Sequence, residues 1–195
     1  TQRLCLVPDA DLFEALKSGS ADVVTGQIER ITESGVLMQS GEEIEADILV
    51  SATGLRLQLL GGVEFFVDDQ KVDFSKHYYY QGMMFSGVPN LLQTFGYINA
   101  SWTLRADLNS QFVCKLLQHM DERGATQCVA ALTDADDGMT SRDWISDFNP
   151  GYMRRGLHLF PRQGDRGPWI NTQNYLQDKK NLAKSPGEDP RLQFS

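Results

Sequence analysis

The chain has 195 residues, 41% of them hydrophobic and 23% charged, which is the composition of a globular protein with one sizeable core or one core and a small appendage. A formal charge of −8 repels phosphate backbones and argues against nucleic acid or an anionic membrane as the main partner. The charge is uneven, with 10 basic and 22 acidic side chains in residues 1–150 against 8 and 4 in residues 151–195, so a basic tail is expected to dock on an acidic body or to meet an anionic ligand.

Cys5, Cys114 and Cys128 are odd in number and widely spaced, the pattern of a reducing compartment, and a cytoplasmic location is expected. No apolar run nears the roughly 20 residues needed to span a bilayer, so no transmembrane segment is expected. The chain begins with Thr1 rather than Met and enters directly on apolar text, which suggests a piece of a longer protein.

Residues 9–19 read as a short helix, with Pro8 before it, acids in its first turn, and Lys17 and Gly19 at its end. A small β-meander follows: Gln27–Thr32 alternates, Glu33-Ser34-Gly35 turns, Val36–Gln39 returns, and Ser40-Gly41-Glu42 turns again before Ile44. The continuous apolar run Asp47–Gly54, ending in Ala52-Thr53-Gly54, predicts a strand buried on both faces that stops at a backbone crossing point. Further short strands are expected around Glu64–Val67, Met83–Phe85 and Leu91–Phe95, in an antiparallel or mixed sheet. Leu104, Leu108, Phe112, Val113, Leu116, Leu117 and Met120 fall on one stripe of a helix from about Ser101 to Arg123, stopped by Gly124. Thr133–Gly138 reads as an acidic loop, a second helix is expected near Thr172–Ala183, and the last dozen residues read as frayed.

Few chemistries fit these residues. His77, His119 and His158 are scattered and no Cys-x-x-Cys occurs, so no metal site is expected. No Gly-x-Ser-x-Gly elbow exists, and Cys114, in mid-helix, reads as a plain buried thiol. None of the 17 glycines lies two residues from another and none is followed by Lys, so neither a dinucleotide fingerprint nor a P-loop is present. Two features remain. Small residues in Ala52-Thr53-Gly54 permit close approach of a cofactor or an interdomain crossover, although a strand ending in a tight turn has the same text. Phe95-Gly96-Tyr97-Ile98-Asn99-Ala100-Ser101-Trp102-Thr103 leads through a glycine to the start of the long helix, where free N–H groups favour negative charge. An ordinary capped helix reads the same way, and Asn99-Ala100-Ser101, formally a glycosylation sequon, fits a helix start better.

Several blocks carry a resemblance. Gln2–Phe13, Ala46-Asp47-Ile48, Ala52-Thr53-Gly54-Leu55, Gly82-Met83-Met84, Ser86–Asn90, Gly96-Tyr97, Asn99–Leu104, Pro161–Gly164, Pro168-Trp169 and Gln173–Leu176 resemble, in register, the C-terminal half of flavin-dependent Baeyer–Villiger monooxygenases. The text is most similar to the ethionamide-activating branch, and Arg56, Gln81 and Ile98 depart from the Asn, Lys and Thr it leads one to expect.

The resemblance implies an α/β fold class: an incomplete FAD/NAD(P)-binding Rossmann-like fragment with a β-meander, a mixed sheet and one long C-terminal helix. Residues 1–54 would end the NADPH-binding domain, 55–130 would be the returning part of the FAD-binding domain, and 131–195 an acidic loop and basic tail. FAD and NADPH are the implied cofactors. Ala52, Thr53, Gly54, Gly96, Asn99, Ala100, Ser101 and Trp102 are the implied cofactor-binding residues, with the helix N-terminus aimed at the flavin. The implied reaction inserts oxygen from O2 into a small ketone or onto the sulfur of a thioether. A relative that oxygenates nitrogen or sulfur, or simply oxidises NADPH, and a non-catalytic interaction module are the alternatives. No catalytic residue is assigned, because the family's flavin-side arginine would lie upstream and its role is not transferred to Arg56 or Arg105. The implied partner is the N-terminal half of the same enzyme, and the isolated chain is expected to be inactive and to self-associate.

Overall fold

The computed structural model describes residues 7–146, 148 and 150–195, in two units that divide between Gly54 and Leu55. In the first, a 3-10 turn (Pro8–Ala10) leads into helix α1 (Asp11–Ser18), which closes on Gly19 in the left-handed conformation at φ 74°. Strands β1 (Ile28–Ile31), β2 (Gly35–Met38) and β3 (Glu43–Glu45) form the expected antiparallel meander. Thr32 and Ser34 each donate a hydroxyl to Glu43 Oε1 at 2.8 Å, which pins the register beside the first turn and holds that carboxyl below its usual range.

The expected strand over Asp47–Gly54 is not formed. The Ala46 N–H donates to Ser34 O at 2.9 Å, after which the backbone leaves the meander, and Ile48 and Val50 are each 82% exposed. A strand buried on both faces takes its ladder from flanking strands and its burial from layers above and below, and the described residues of this unit supply neither.

In the second unit the sheet is irregular and mixed. Strands β4 (Phe66–Val67) and β5 (Gln70–Lys71) make a separate hairpin whose two-residue turn, Asp68-Asp69, has both φ values positive, at 49° and 61°, matching strand twist. Strands β6 (Tyr79–Tyr80) and β7 (Met84–Phe85) pair antiparallel, as do β8 (Cys128–Ala130) with β11 (Leu192–Phe194) and β9 (Arg142–Asp143) with β10 (Arg162–Gln163). Single parallel bridges, Tyr78 to Arg162 and Ser86 to Ala130, join these ladders in the order β9-β10-β6-β7-β8-β11. The expected strand over Leu91–Phe95 shrinks to one bridge from Leu92 to Met84.

Hairpin β6–β7 separates two cores. Successive strand residues point to opposite faces, so the paired Tyr80 and Met84 join Leu108, Phe112, Leu116 and Trp169 on one side. The paired Tyr79 and Phe85 join Phe74, Trp144, Met153 and Phe160 on the other. Both faces being covered explains why Tyr78–Tyr80 and Met83–Phe85 are continuous large apolar runs.

Helix α2 (Trp102–Arg123) has the expected bounds, with Ser101 as N-cap and Gly124 left-handed at φ 65° as its stop. Its buried stripe is Arg105, Leu108, Asn109, Phe112, Leu116 and Met120, whereas Leu104 and Leu117, expected inside, face out at 38% and 55% exposure. Hydrophobicity alone misplaced the stripe by part of a turn because two polar residues lie inside: Arg105 donates to Gln81 O, and Asn109 donates from Nδ2 to Thr94 Oγ1 while its Oδ1 has no partner among the described residues. The helix is not C-terminal, since strand β11 ends the chain. Cys114 is exposed rather than buried and Cys128 is buried, while Cys5 lies outside the described residues. Burial pushes the Cys128 thiol up to about 11.

The tail also differs from its expected frayed end. Helix α3 (Gly151–Gly156) precedes β10, and helix α4 (Tyr175–Leu182) starts where Asn174 Oδ1 accepts the Gln177 N–H at 3.1 Å. Leu192 is 5% exposed, and Arg191 donates through Nε and Nη2 to the Asp136 carboxylate at 2.9–3.0 Å. The basic tail thus docks on an acidic turn. Burial raises the Asp136 carboxyl, but the Arg191 bonds and the Thr133 N–H and hydroxyl outweigh it and hold the group below its ordinary value. Among the described residues no helix is long and apolar enough to cross a membrane.

Two outcomes follow. A folded-state carboxyl below its unfolded value stabilises fully above the ordinary pKa of 3.8 and loses that contribution as pH falls through the lowered value. Asp136→Asn is therefore expected to cost about 3 kcal/mol in urea unfolding at pH 7, and the gap to wild type should close as the pH is taken well below about 4. Alkylation followed by peptide mapping should label Cys114 rapidly and leave Cys128 unmodified until unfolding.

Candidate functional site

The residues from Phe95 to Trp102 turn a sheet bridge into a helix. Gly96 is buried, and a Cβ added there would strike the Trp102 indole, so glycine lets that ring lie against the backbone. Phe95 packs beside it, 4.8 Å from the Trp102 ring and 4.4 Å from Trp144 in a T-shaped pair. Asn99, Ala100 and Ser101 are exposed at the bend, and Trp102 is half exposed. Ser101 Oγ accepts the Thr103 N–H at 3.3 Å, and no acid lies in the first turn of α2. The remaining first-turn N–H groups, which no intrahelical carbonyl can reach, present partial positive charge.

Both flanks of this exposed bend are tied to the tail. Tyr97 donates its hydroxyl to Asp178 Oδ2 at 2.8 Å, and Thr172 donates to Oδ1 at 2.5 Å. Arg105 Nη1 lies 2.6 Å from Asp178 Oδ2, with both side chains 6% exposed, and its Nη2 donates to Gln81 O. The Ile98 N–H donates to Gln173 Oε1 at 2.9 Å, and Gln173 Nε2 donates to Asn171 Oδ1 at 3.1 Å. Asn171 in turn donates from Nδ2 to Trp144 O at 3.0 Å.

The two Asp178 oxygens thus receive two hydrogen bonds, from Tyr97 and Thr172, beside the ion pair with Arg105, which offsets the desolvation of a buried pair. Burial first, then the bond to Asp178 and its charge, push the Tyr97 hydroxyl up to about 12 against the opposing influence of Arg105, so it remains a donor at neutral pH. Nearby, Tyr79 OH and Trp144 Nε1 are buried without a hydrogen-bond partner among the described residues, their rings 6.2 Å apart.

The sequence-derived site residues fall into two places. Ala52, Thr53 and Gly54, the last at φ 104°, lie in the first unit and are all exposed. Gly96, Asn99, Ala100, Ser101 and Trp102 come together in the second. Sequence reasoning missed Tyr97, Arg105, Gln173 and Asp178 as a group. Its available signal was an arginine three residues before Leu108 on the buried stripe, together with the Gly96-Tyr97 and Gln173-Asn174-Tyr175 blocks lying in register with one family. Two clefts of about 270 and 440 Å³ share Gln81, Asn181, Lys184, Asp189 and Arg191, and none of residues 96–102 lines either. Among the described residues no group of three His, Cys, Asp or Glu side chains could hold a metal ion.

The body is mixed α/β, and the first turn of α2 carries no acid and follows a glycine-backed bend, where partial positive charge favours a neighbouring negative group. Comparison with known proteins places it more narrowly. The chain is 47% identical over 194 residues to the FAD-containing monooxygenase EthA of Mycobacterium tuberculosis, matching 100% of this chain and 39% of that protein. It is 45% identical over 194 residues to "Probable FAD-binding monooxygenase AlmA" of an Acinetobacter species, covering 99% of this chain and 38% of the relative. EthA of Mycolicibacterium smegmatis is 44% identical over 195 residues, with 100% and 39% covered. No family model and no solved structure matches the chain. Identity at this level along the whole chain makes it a homologue of FAD-containing monooxygenases of the EthA branch, and it spans about two fifths of their length.

Gly96→Ala tests the close approach in the bend. Overpacking against the indole should cost about 1–3 kcal/mol in urea unfolding and shift the emission of Trp102, read in a Trp144→Phe, Trp169→Phe background.

Proposed function

We propose that the chain is the C-terminal portion of an FAD-containing, NADPH-dependent monooxygenase that inserts one oxygen atom of O2 into ketones in the Baeyer–Villiger manner or onto sulfur. The observation that carries this reading is the 44–47% identity, along essentially the entire chain, to proteins named for FAD and monooxygenation. The residues of the bend suit such a cofactor. The first turn of α2 holds no acid, its N–H groups other than that of Thr103 have no carbonyl partner within the helix, and a glycine rather than a side chain backs the bend. Gly96, Asn99, Ala100, Ser101 and Trp102 would hold the flavin from this side, and Ala52, Thr53 and Gly54 would line the crossover between the two nucleotide-binding domains.

FAD, when bound, supplies the reaction with O2 after reduction by NADPH, and the protein supplies binding and charge. In this chain the first-turn N–H groups of α2 that lack a carbonyl partner within the helix would stabilise negative charge beside the helix start, and the half-exposed Trp102, packed on Phe95, would offer an apolar ring beside it. Tyr97 keeps its proton and so holds the bend without titrating in the working pH range.

The residues that cradle both pyrophosphates would come from upstream, which agrees with the absence of any Gly-x-Gly here. The same upstream part is the partner we propose for Ile48, Leu49 and Val50, whose exposure in the first unit would otherwise favour self-association of the isolated chain. The chain by itself is then inactive.

The test is the chain extended to its natural start, assayed for bound-flavin absorption, for NADPH consumption with a simple ketone or thioether, and for product. Flavin uptake with ester formation is the expected result, with no activity from residues 1–195 alone. Flavin uptake with sulfoxide or N-oxide and no ester would replace the Baeyer–Villiger reading by that of an oxygenating relative, and absence of flavin would leave a non-catalytic interaction module.

A further inference from the structure

The exposed bend is four residues long, and besides the aromatic packing of Phe95 on Trp102 it is held at both flanks by side chains of the tail. On the leading side the Ile98 N–H is held by Gln173 and the Tyr97 hydroxyl by Asp178; on the trailing side Asp178 holds Arg105, one turn into α2. One carboxylate therefore bridges a residue before the bend and a residue after it. Gln173 adopts φ 49°, a left-handed conformation that a non-glycine residue takes at a cost, and in this conformation its side chain meets the Ile98 N–H and the Asn171 amide.

A helix start exerts its field only within about its first turn, so a small displacement of residues 98–104 changes what that field does to a bound group. We propose that Gln173 and Asp178 are positioning residues that set the place of the α2 N-terminus, and through it the charge stabilisation of the reduced flavin, without either residue touching the cofactor. This rests on the flavin reading above. Arg105 is not the stabilising cation in this account, because its charge is spent on Asp178 and its second nitrogen on Gln81 O.

The test uses the full-length protein that contains this chain, as Gln173→Leu, Asp178→Asn and a control, Lys180→Ala, whose side chain is exposed on α4. Gln173→Leu leaves the buried ion pair intact and so remains informative if Asp178→Asn fails to fold. Two readouts are taken: amide exchange of residues 98–104, which needs no flavin, and the two-electron potential of bound FAD.

In Gln173→Leu the Ile98 amide should exchange at least about tenfold faster, and the affinity ratio of reduced to oxidised FAD should fall about tenfold, which for a two-electron couple is about 30 mV. The control should match wild type in both. Unchanged exchange in folded Gln173→Leu and Asp178→Asn would overturn the clamp. Faster exchange with an unchanged potential would overturn the positioning role while leaving the flavin reading in place. A wild-type protein that takes up no FAD would overturn the flavin reading and this inference with it, whatever the exchange shows.

Discussion

Arg105 and Asp178 meet 2.6 Å apart in an interior that leaves each side chain 6% exposed, and the arrangement around the bend is what such a pair demands. Each charge has lost its water, so removing either partner leaves an uncompensated ion, and the surroundings must bring hydrogen bonds to both. Gln81 O, Thr172 and Tyr97 do so, from a hairpin turn, the tail and the segment leading into the bend. The pair is thus weak evidence for stability in itself, but the groups that satisfy it join α2, α4 and the bend.

That arrangement needs a rigid wall behind it, and the β6–β7 hairpin provides one. Four residues of alternating direction send Tyr80 and Met84 to the core under α2 and Tyr79 and Phe85 to the aromatic core around Trp144. Phe95 then touches both Trp144 and Trp102, so the aromatic core supports the bend directly. The Gln81 carbonyl that receives Arg105 sits in the turn of this hairpin, at φ 48°. The wall, the bend and the tail therefore share one set of contacts rather than three.

Much of this was legible from local text. The bounds of α2, its Ser101 cap and Gly124 stop, and the meander follow from capping chemistry and periodicity acting over a few residues, and a helix expected near Thr172–Ala183 is found at Tyr175–Leu182. The failures share a cause, in that each depended on a distant partner. Leu104 and Leu117 read as core and face out because Arg105 and Asn109 found partners in Gln81 and Thr94. The end of the chain read as frayed because its order comes from pairing with Cys128–Ala130, some sixty residues away. Asp47–Gly54 read as a buried strand, yet text can announce a strand without supplying its neighbours.

By itself the sequence determined the composition of a folded α/β body, the positions of its helix ends and tight turns, and a family resemblance carried by blocks from residue 2 to residue 176. These rest on short-range sterics and hydrogen bonding, or on identity of text, and neither needs a partner far along the chain. Only the tertiary structure decided that Asp178 would close on Arg105 and Tyr97, that Gln173 would hold Ile98, and that Cys128 rather than Cys114 would be buried. Burial of a charge or a thiol is set by what packs over it, and what packs over it comes from segments whose separation of up to 81 residues no local pattern records.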